Sequence, residues 1–113
     1  MTTLITRNDL KAAIETGEVT VVDALPAGYF EQQHLPGAVN LFVDEAADRA
    51  ADVLPDKNAA IVAYCSNESC PNSEGVARTL TRLGYTNVRK YREGIQDLVE
   101  AGLPTESGAR AVA

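Results

Sequence analysis

Apolar residues follow two alternating patterns along this chain. Short apolar runs are rich in β-branched residues, and between them lie longer segments in which apolar residues recur every three or four positions. The runs are typical of buried strands, and the longer periodicity is typical of amphipathic helices. The runs predict strands at 19–23, 39–41, 60–64 and 87–91. Because helical segments separate them, the pattern predicts a parallel α/β sheet with helices on both faces.

Turn-forming and capping residues set the bounds of the predicted helices. Thr6, followed three residues later by Asp9, favours a helix N-cap, and Gly17 is suited to end that first helix. The further helices are predicted at 26–33, from Asp44 to the residue before Pro55, from the end of the cysteine loop to Gly84, and at 95–101. In sheets of this kind, functional sites form at the carboxyl ends of the strands.

Composition limits the size and the class of the protein. A length of 113 residues with 45% hydrophobic content suits one domain, which we expect to span residues 1–105 with a flexible tail at 106–113. The net charge of -6 argues against binding to nucleic acid or an anionic membrane surface. The two cysteines are too few for a secreted disulfide scaffold, and the N-terminus lacks a long apolar run, so we expect a cytoplasmic protein.

The segment with the most chemical potential is 60–73, where an apolar run ends at Cys65 and a small polar loop leads into a helix. A strand fixes the position of the sulfur, and the N-terminus of the helix supplies free N–H groups and the positive end of a dipole. Both features favour thiolate over thiol and predict a nucleophile. The alternative is a small buried hydrophobic residue, which is the role of most free cysteines.

Motifs in separate parts of the chain resemble those of the single-domain rhodanese family, in order and at the expected spacing over residues 4–105. The motifs are Val21-Val22-Asp23, Tyr29, His34-Leu35-Pro36-Gly37-Ala38, Tyr64-Cys65, Leu83-Gly84-Tyr85, Gly94 and Gly102-Leu103-Pro104. The chain is similar to a subgroup with a longer Cys-x4-Cys loop. The resemblance implies a three-layer α/β/α fold with a five-stranded parallel sheet and a sulfurtransferase activity without a cofactor.

The resemblance also implies a mechanism and a set of site residues. The thiolate of Cys65 would take a sulfane sulfur from a small donor as a persulfide and release it to a thiol or cyanide acceptor. Backbone N–H groups of residues 66–71 would hold the anionic forms. The expected substrate-binding loop comprises Ser66, Asn67, Glu68, Ser69, Pro71, Asn72 and Ser73.

The loop departs from the family pattern in its charge. The arginines common in rhodanese loops are missing, and Glu68 is present instead. A fixed negative charge near Cys65 would oppose thiosulfate, a dianion, and raise the pKa of the thiol, so we expect weak thiosulfate activity. The alternative is a solvated Glu68 that points away; Arg78 and Arg92 would offset its charge if they faced the loop. The last loop has Glu93-Gly94 where the family has Gly-Gly.

Three further residues with chemical potential have competing interpretations. Cys70 is a candidate resolving thiol that would form a disulfide with Cys65, reducible by a thioredoxin-like partner, or it packs beside Pro71. A persulfide-carrying protein is a further candidate partner. His34 is expected to be a hydrogen-bonded turn residue, and Asp23 to accept backbone hydrogen bonds at a strand end. Cys65, Cys70 and His34 are too few ligands for a zinc site.

Two rival functions follow from the same residues. A phosphatase of this fold would need an arginine six positions after the nucleophile, but Pro71 stands there, so phosphoryl transfer is not expected. A non-catalytic or redox-sensing binding module remains open, and the Arg-free loop favours it. A depressed pKa of Cys65 would favour the enzyme, and an ordinary pKa would favour the module.

Overall fold

The computed structural model describes residues 3–108. Within them, five strands form one sheet: β1 (Thr3–Leu4), β2 (Thr20–Asp23), β3 (Val39–Asn40), β4 (Ile61–Tyr64) and β5 (Val88–Tyr91). The helices are α1 (Arg7–Thr16), α2 (Ala27–Gln32), α3 (Ala46–Val53), α4 (Asn72–Arg82) and α5 (Gly94–Glu100), and a 3-10 turn at Val43–Glu45 precedes α3. The strand order is β1-β5-β4-β2-β3 and every neighbouring pair is parallel, which confirms the predicted fold class.

The core consists of two buried clusters, one on each face of the sheet. Successive residues of a strand point to opposite faces, so Val21 and Val62 join one cluster while Val22 and Ile61 join the other. The first cluster also contains residues of α1, α2 and α5, and the second contains residues of α3 and α4. The strands are therefore covered on both sides, which explains why they read as continuous apolar runs.

The predicted bounds of α1 are confirmed by its caps. The Oγ1 atom of Thr6 accepts a hydrogen bond from the backbone N–H of Asp9 at 3.2 Å, and Gly17 ends the helix with a φ of 75°. Two elements differ from the pattern. The two residues of β1 are exposed and hold the sheet edge through the main chain of β5, so hydrophobicity does not reveal this strand. The 3-10 turn takes up Asp44, so the α-helix predicted to begin there starts at Ala46.

The chain after residue 105 continues to pack on the domain as far as it is described. Glu106 and His34 exchange backbone hydrogen bonds of 2.8 and 2.9 Å, and the N–H of Gly108 donates to the carbonyl of Glu31 at 2.7 Å. Residues 109–113 of the expected tail lie outside the described residues. Across 3–108, each helix is too short or too polar to cross a membrane.

Candidate active site

The candidate site lies where two central strands end side by side. Asp23, the last residue of β2, is in register with Tyr64, the last residue of β4, and the N–H of Ala24 donates to the carbonyl of Tyr64 at 2.9 Å. Cys65 follows directly, so the predicted approach of Asp23 and Cys65 at one sheet edge is confirmed. Both residues are fully buried.

The start of α5 holds the loop that follows Cys65. The N–H groups of Ile95 and Gln96 donate to the carbonyls of Cys65 and Ser66 at 2.9 and 3.0 Å. Gly94 has a φ of 77°, and a Cβ atom there would lie 2.5 Å from the carbonyl carbon of Ser66. The close approach therefore requires a glycine at position 94, whereas position 93 accommodates the side chain of Glu93.

Cys65 is held as a thiol in this arrangement. Its Sγ atom lies 3.3 Å from the carbonyl oxygen of Cys70 and 3.5 Å from the Oγ of Ser73. A carbonyl oxygen only accepts, so the Cys65 thiol donates to the carbonyl of Cys70. Burial first, and then the contact with the Cys70 side chain, raises the pKa of Cys65, while hydrogen bonds from Ser73 offset part of the rise. In this loop conformation the surroundings of Cys65 favour the thiol over the thiolate that the helix N-terminus would favour.

Cys70 has the opposite environment. It is half-buried, and burial alone would raise its pKa, but hydrogen bonds from the Cys65 thiol, from the backbone of Asn72 and from Ser66 outweigh burial and lower the pKa of Cys70. The donors expected to surround Cys65 are thus directed to Cys70. The curled loop brings Cys70 next to Cys65, with the Cys70 carbonyl oxygen 3.3 Å from the Cys65 sulfur, and the two cysteines do not form a disulfide.

Asn67 organises the tip of the loop. Its Oδ1 accepts from the N–H of Ser69 at 3.0 Å, and its carbonyl accepts from the N–H of Cys70 at 3.1 Å. Its Nδ2 also donates to Gln96 at 3.2 Å. Two of the N–H groups that the resemblance assigns to anion binding are therefore occupied within the loop in this conformation.

The remaining residues of the predicted substrate-binding loop contact different parts of the structure. The Nδ2 of Asn72 donates to the carbonyl of Ala24 at 3.2 Å, so it ties the start of α4 to the segment after β2. Ser73 is buried beneath Cys65, whereas Pro71 is exposed and precedes α4 without a side-chain cap. Of the seven predicted substrate-binding residues, Ser66 and Ser73 make side-chain hydrogen bonds to a cysteine sulfur.

The charge near the loop is acidic. Glu68 is exposed and lines a shallow depression with three other carboxylates, those of Glu93, Asp97 and Glu100. Glu68 is not among the groups that raise the pKa of Cys65. The two arginines proposed to offset its charge pair with other acids: Arg78 with Glu74 at 2.6 Å, and Arg92 with Glu93 of the same depression at 3.8 Å.

A buried polar network lies behind the site. The hydroxyl of Tyr64 donates to Asp23 at 2.9 Å and accepts from the N–H of Leu35 at 3.1 Å, and the other oxygen of Asp23 accepts from the N–H of Leu25 at 2.8 Å. Burial raises the pKa of Asp23 to about 6, although these hydrogen bonds and the charge of His34 oppose the rise. The structural role expected for Asp23 is supported, and Tyr64 is its missed partner.

His34 occupies the predicted turn. Its ring stacks on Phe30 with centroids 3.9 Å apart, and its Nδ1 donates to the Phe30 carbonyl at 2.7 Å. These contacts confirm a hydrogen-bonded turn residue. Sequence reasoning also missed Lys90, whose Nζ donates to Glu74 at 2.9 Å beside the first turn of α4. Two consecutive basic residues, Arg89 and Lys90, inside a predicted strand were the available signal.

Comparison with known proteins assigns the chain to a family. The family model described as the rhodanese-like domain matches residues 6–101. The chain therefore belongs to the rhodanese-like family. The structure resembles the BH2092 protein from Bacillus halodurans with a TM-score of 0.86 and 23% identity, covering 99% of this chain and 82% of that one. It also resembles a rhodanese with anions from E. coli, with a TM-score of 0.66, 28% identity, and coverage of 80% and 99%.

Two further relatives differ from each other in name. The HTH-type transcriptional regulator Rv0324 of Mycobacterium tuberculosis is 38% identical over 108 residues, which are 93% of this chain and 45% of the regulator. The thiosulfate sulfurtransferase PspE of Escherichia coli is 31% identical over 78 residues, covering 68% of this chain and 71% of that protein. This chain thus spans less than half the length of the regulator.

Proposed function

We propose that this rhodanese-like domain is a sulfurtransferase that carries a sulfane sulfur as a persulfide on Cys65 and passes it to a thiol or to cyanide. The observation that carries the proposal is the position of Cys65: directly after β4, beneath the loop and beside the first turn of α4. The likeness to the sulfurtransferase PspE supports the same reaction class.

The chemistry of the persulfide fits the surroundings of Cys65. A persulfide on Cys65 would be shielded by the loop from stray thiols, since Cys65 itself has no exposed surface. The Ser73 hydroxyl, 3.5 Å from Sγ, and the Ser73 backbone are donors that would stabilise negative charge on the sulfur. Release of the outer sulfur requires attack by an acceptor thiolate or cyanide on the outer sulfur, with Cys65 as the leaving group.

The acidic surface at the loop supports one class of donor. A dianion such as thiosulfate must approach past Glu68 and its neighbouring carboxylates, of which Glu93 pairs with Arg92. Coulomb repulsion disfavours that approach more than the approach of an organic persulfide, whose sulfur carries at most one negative charge. The proposed donor is therefore a small organic persulfide or a persulfide-carrying protein, and the proposed acceptor is a thiol.

Intact-protein mass spectrometry of the reduced protein tests the proposal. Separate samples are exposed to thiosulfate and to a low-molecular-weight persulfide, with Cys65→Ser as the control. We expect one added sulfur in the wild type, mapped to Cys65, and more of it from the persulfide than from thiosulfate. Absence of a sulfur adduct with either donor, or full turnover by Cys65→Ser, would contradict the proposal.

The second candidate is a redox-sensing module in which Cys65 and Cys70 form a reversible disulfide. The contact between the two side chains favours it, and so does the likeness to a protein named as a transcriptional regulator. A thioredoxin-like protein would be the reductant. In the same mass measurement, treatment with an oxidant in place of a sulfur donor would remove two hydrogen atoms and join the two cysteines.

A further inference from the structure

We propose that Cys70, rather than Cys65, makes the first attack on the sulfur donor, and that Cys65 then receives the sulfur from Cys70. The inference rests on the proposed function and assigns an order to its two thiols. It reverses the roles that the sequence suggests, in which Cys65 attacks first and Cys70 only resolves.

The two thiols differ in how accessible they are to a donor. Cys65 has an exposure of 0% and belongs to the buried cluster beneath the loop. Cys70 is half-buried and packs on the outer side of that cluster. A donor that approaches the loop in this conformation therefore reaches the sulfur of Cys70 first.

The two thiols also differ in the direction of their hydrogen bonds. Cys65 faces an acceptor, the carbonyl of Cys70 at 3.3 Å, and so keeps its proton. Cys70 faces donors at the backbone of Asn72 and at the backbone and hydroxyl of Ser66. Donors stabilise a thiolate and acceptors stabilise a thiol. Because the thiolate is the nucleophile, the loop favours the reactive form at Cys70 over Cys65.

The two cysteines also lie next to each other. The Sγ atom of Cys65 is 3.3 Å from the carbonyl oxygen of Cys70, so a sulfur on Cys70 need not leave the loop to reach Cys65. Asn67 fixes this curled shape, since its carbonyl holds the N–H of Cys70 at 3.1 Å. The loop therefore serves as a short relay from the surface to the buried thiol.

The steps balance without any further reagent. The Cys70 thiolate attacks the outer sulfur of a persulfide RS–SH, the RS–S bond breaks, and RS⁻ leaves, which gives Cys70–S–SH. The leaving RS⁻ takes up the proton of Cys65 and departs as RSH, which makes Cys65 a thiolate beside neutral Cys70–S–SH. The Cys65 thiolate attacks the outer sulfur, and Cys70 leaves as thiolate. The product is Cys65–S–SH beside the regenerated Cys70 thiolate.

The test is a rapid-quench time course with an organic persulfide, in which alkylation traps the thiols and persulfides. Cleavage after Glu68 separates the two cysteines into different peptides, so the position of the added sulfur is read directly. The samples are the wild type, Cys70→Ser, Cys70→Ala, Cys65→Ala and the control Ser107→Ala, at an exposed position outside the loop. Thermal unfolding verifies that each variant folds, and the two Cys70 variants guard against a substitution-specific artefact.

The expected result is an adduct on Cys70 that appears before the adduct on Cys65 and decays as the latter grows. Either Cys70 variant should slow labelling of Cys65 by at least about tenfold, Cys65→Ala should trap the sulfur on Cys70, and Ser107→Ala should behave as the wild type. Labelling of Cys65 at the wild-type rate in both Cys70 variants would overturn the relay and leave the proposed function intact. No adduct on either thiol in the wild type would overturn both.

A parallel measurement without a sulfur donor separates the two claims further. Iodoacetamide alkylation of the reduced wild type should modify Cys70 faster than Cys65, and the rate at Cys70 should level off at a lower pH. Faster alkylation at Cys65 would overturn the assigned order whatever the donor experiment gives.

Discussion

Two polar groups at adjacent strand ends, Asp23 and Cys65, have opposite kinds of surroundings. Each oxygen of Asp23 accepts a hydrogen bond from a fixed donor, one from the N–H of Leu25 and one from the hydroxyl of Tyr64. The sulfur of Cys65 faces the acceptor of Cys70 on one side and the donor of Ser73 on the other. The first arrangement gives each oxygen its own fixed donor, whereas the second leaves a proton to be exchanged between neighbours.

This difference distinguishes Asp23, a polar group that stabilises the fold, from Cys65, a polar group that is ready to react. A buried group with matched partners stabilises the fold and has little to gain from reacting. A buried group with mixed partners changes state when a nearby group changes, as Cys65 does when Cys70 loses or gains its charge. Substitutions that disturb the surroundings of each group should therefore differ in their effects, beginning with the largest.

Gly94→Ala should have the largest effect because it breaks the support of the cysteine loop. The new Cβ would lie 2.5 Å from the backbone of Ser66 in a residue with a φ of 77°. We expect a loss of at least about 4 kcal/mol in the free energy of unfolding, since αL strain and a backbone clash add. Urea unfolding followed by circular dichroism measures it.

Gly17→Ala is the matched control for that substitution. Its φ of 75° is nearly the same, but the new Cβ would have nothing within 4 Å. It should cost about 1 kcal/mol, which is the conformational term alone. Equal losses in the two variants would mean that the contact with Ser66 is unimportant.

Asp23→Asn should remove the pH dependence of the free energy of unfolding that arises from the buried carboxyl group of Asp23. Burial raises the pKa of Asp23 from 3.8 to about 6, so its stabilising contribution is present below pH 3.8 and is lost as the pH rises through about 6. This change in pKa corresponds to about 3 kcal/mol in the free energy of unfolding. Urea unfolding between about pH 4 and pH 7.5 should therefore show a decline in the wild type that is smaller in the variant.

Asp52→Asn, at an exposed position of α3, is the control for loss of a carboxylate. It should retain the wild-type decline with pH. A decline of the same size in Asp23→Asn would show that another group causes it.

Tyr64→Phe should destabilise the protein by about 2 kcal/mol, since it leaves an oxygen of Asp23 and the N–H of Leu35 without their partner. The Tyr64 hydrogen bond also lowers the pKa of Asp23, so its removal should move the pH-dependent decline to higher pH. Tyr29→Phe, whose side chain is 61% exposed, should change neither quantity. An unchanged pH profile in Tyr64→Phe would mean that Tyr64 is only a packing residue.

Ser73→Ala tests the surroundings of the Cys65 thiol by removing the hydroxyl group of Ser73, which donates to it. The substitution should raise the pKa of Cys65, because hydrogen bonds from Ser73 lower it, and should slow alkylation and sulfur loading of Cys65 by about five- to tenfold. The free energy of unfolding should fall by no more than about 1 kcal/mol. Ser73→Thr, which keeps the hydroxyl, should restore the pH profile of Cys65 alkylation; a profile that Ser73→Ala leaves unmoved would exclude this positioning role.

The sequence predicts the sheet, the caps and the position of Cys65 because each depends on local pattern. Alternating apolar runs identify four of the strands, but β1 is held by the main chain of β5 and has exposed side chains. The protonation of the two thiols is not local. It depends on whether the carbonyl of Cys70 or the N–H groups of the loop face Cys65, and that follows from the curl imposed by Asn67. The spacing of the cysteines indicates only that they can meet.

Glu68→Arg should have the smallest effect, and it tests how the surface charge beside the loop acts on the approaching donor. Because Glu68 is exposed, solvent screens its charge, and it is not among the causes of the raised pKa of Cys65. We expect kcat/KM with thiosulfate to rise by about two- to fivefold, kcat/KM with a neutral persulfide to stay unchanged, and the gain to disappear in about 0.5 M salt. Glu15→Arg on α1 makes the same charge change away from the loop and should leave both donors unaffected. Unchanged thiosulfate kinetics in Glu68→Arg would mean that this acid does not face the approaching donor, and an equal gain in both variants would assign the effect to net charge.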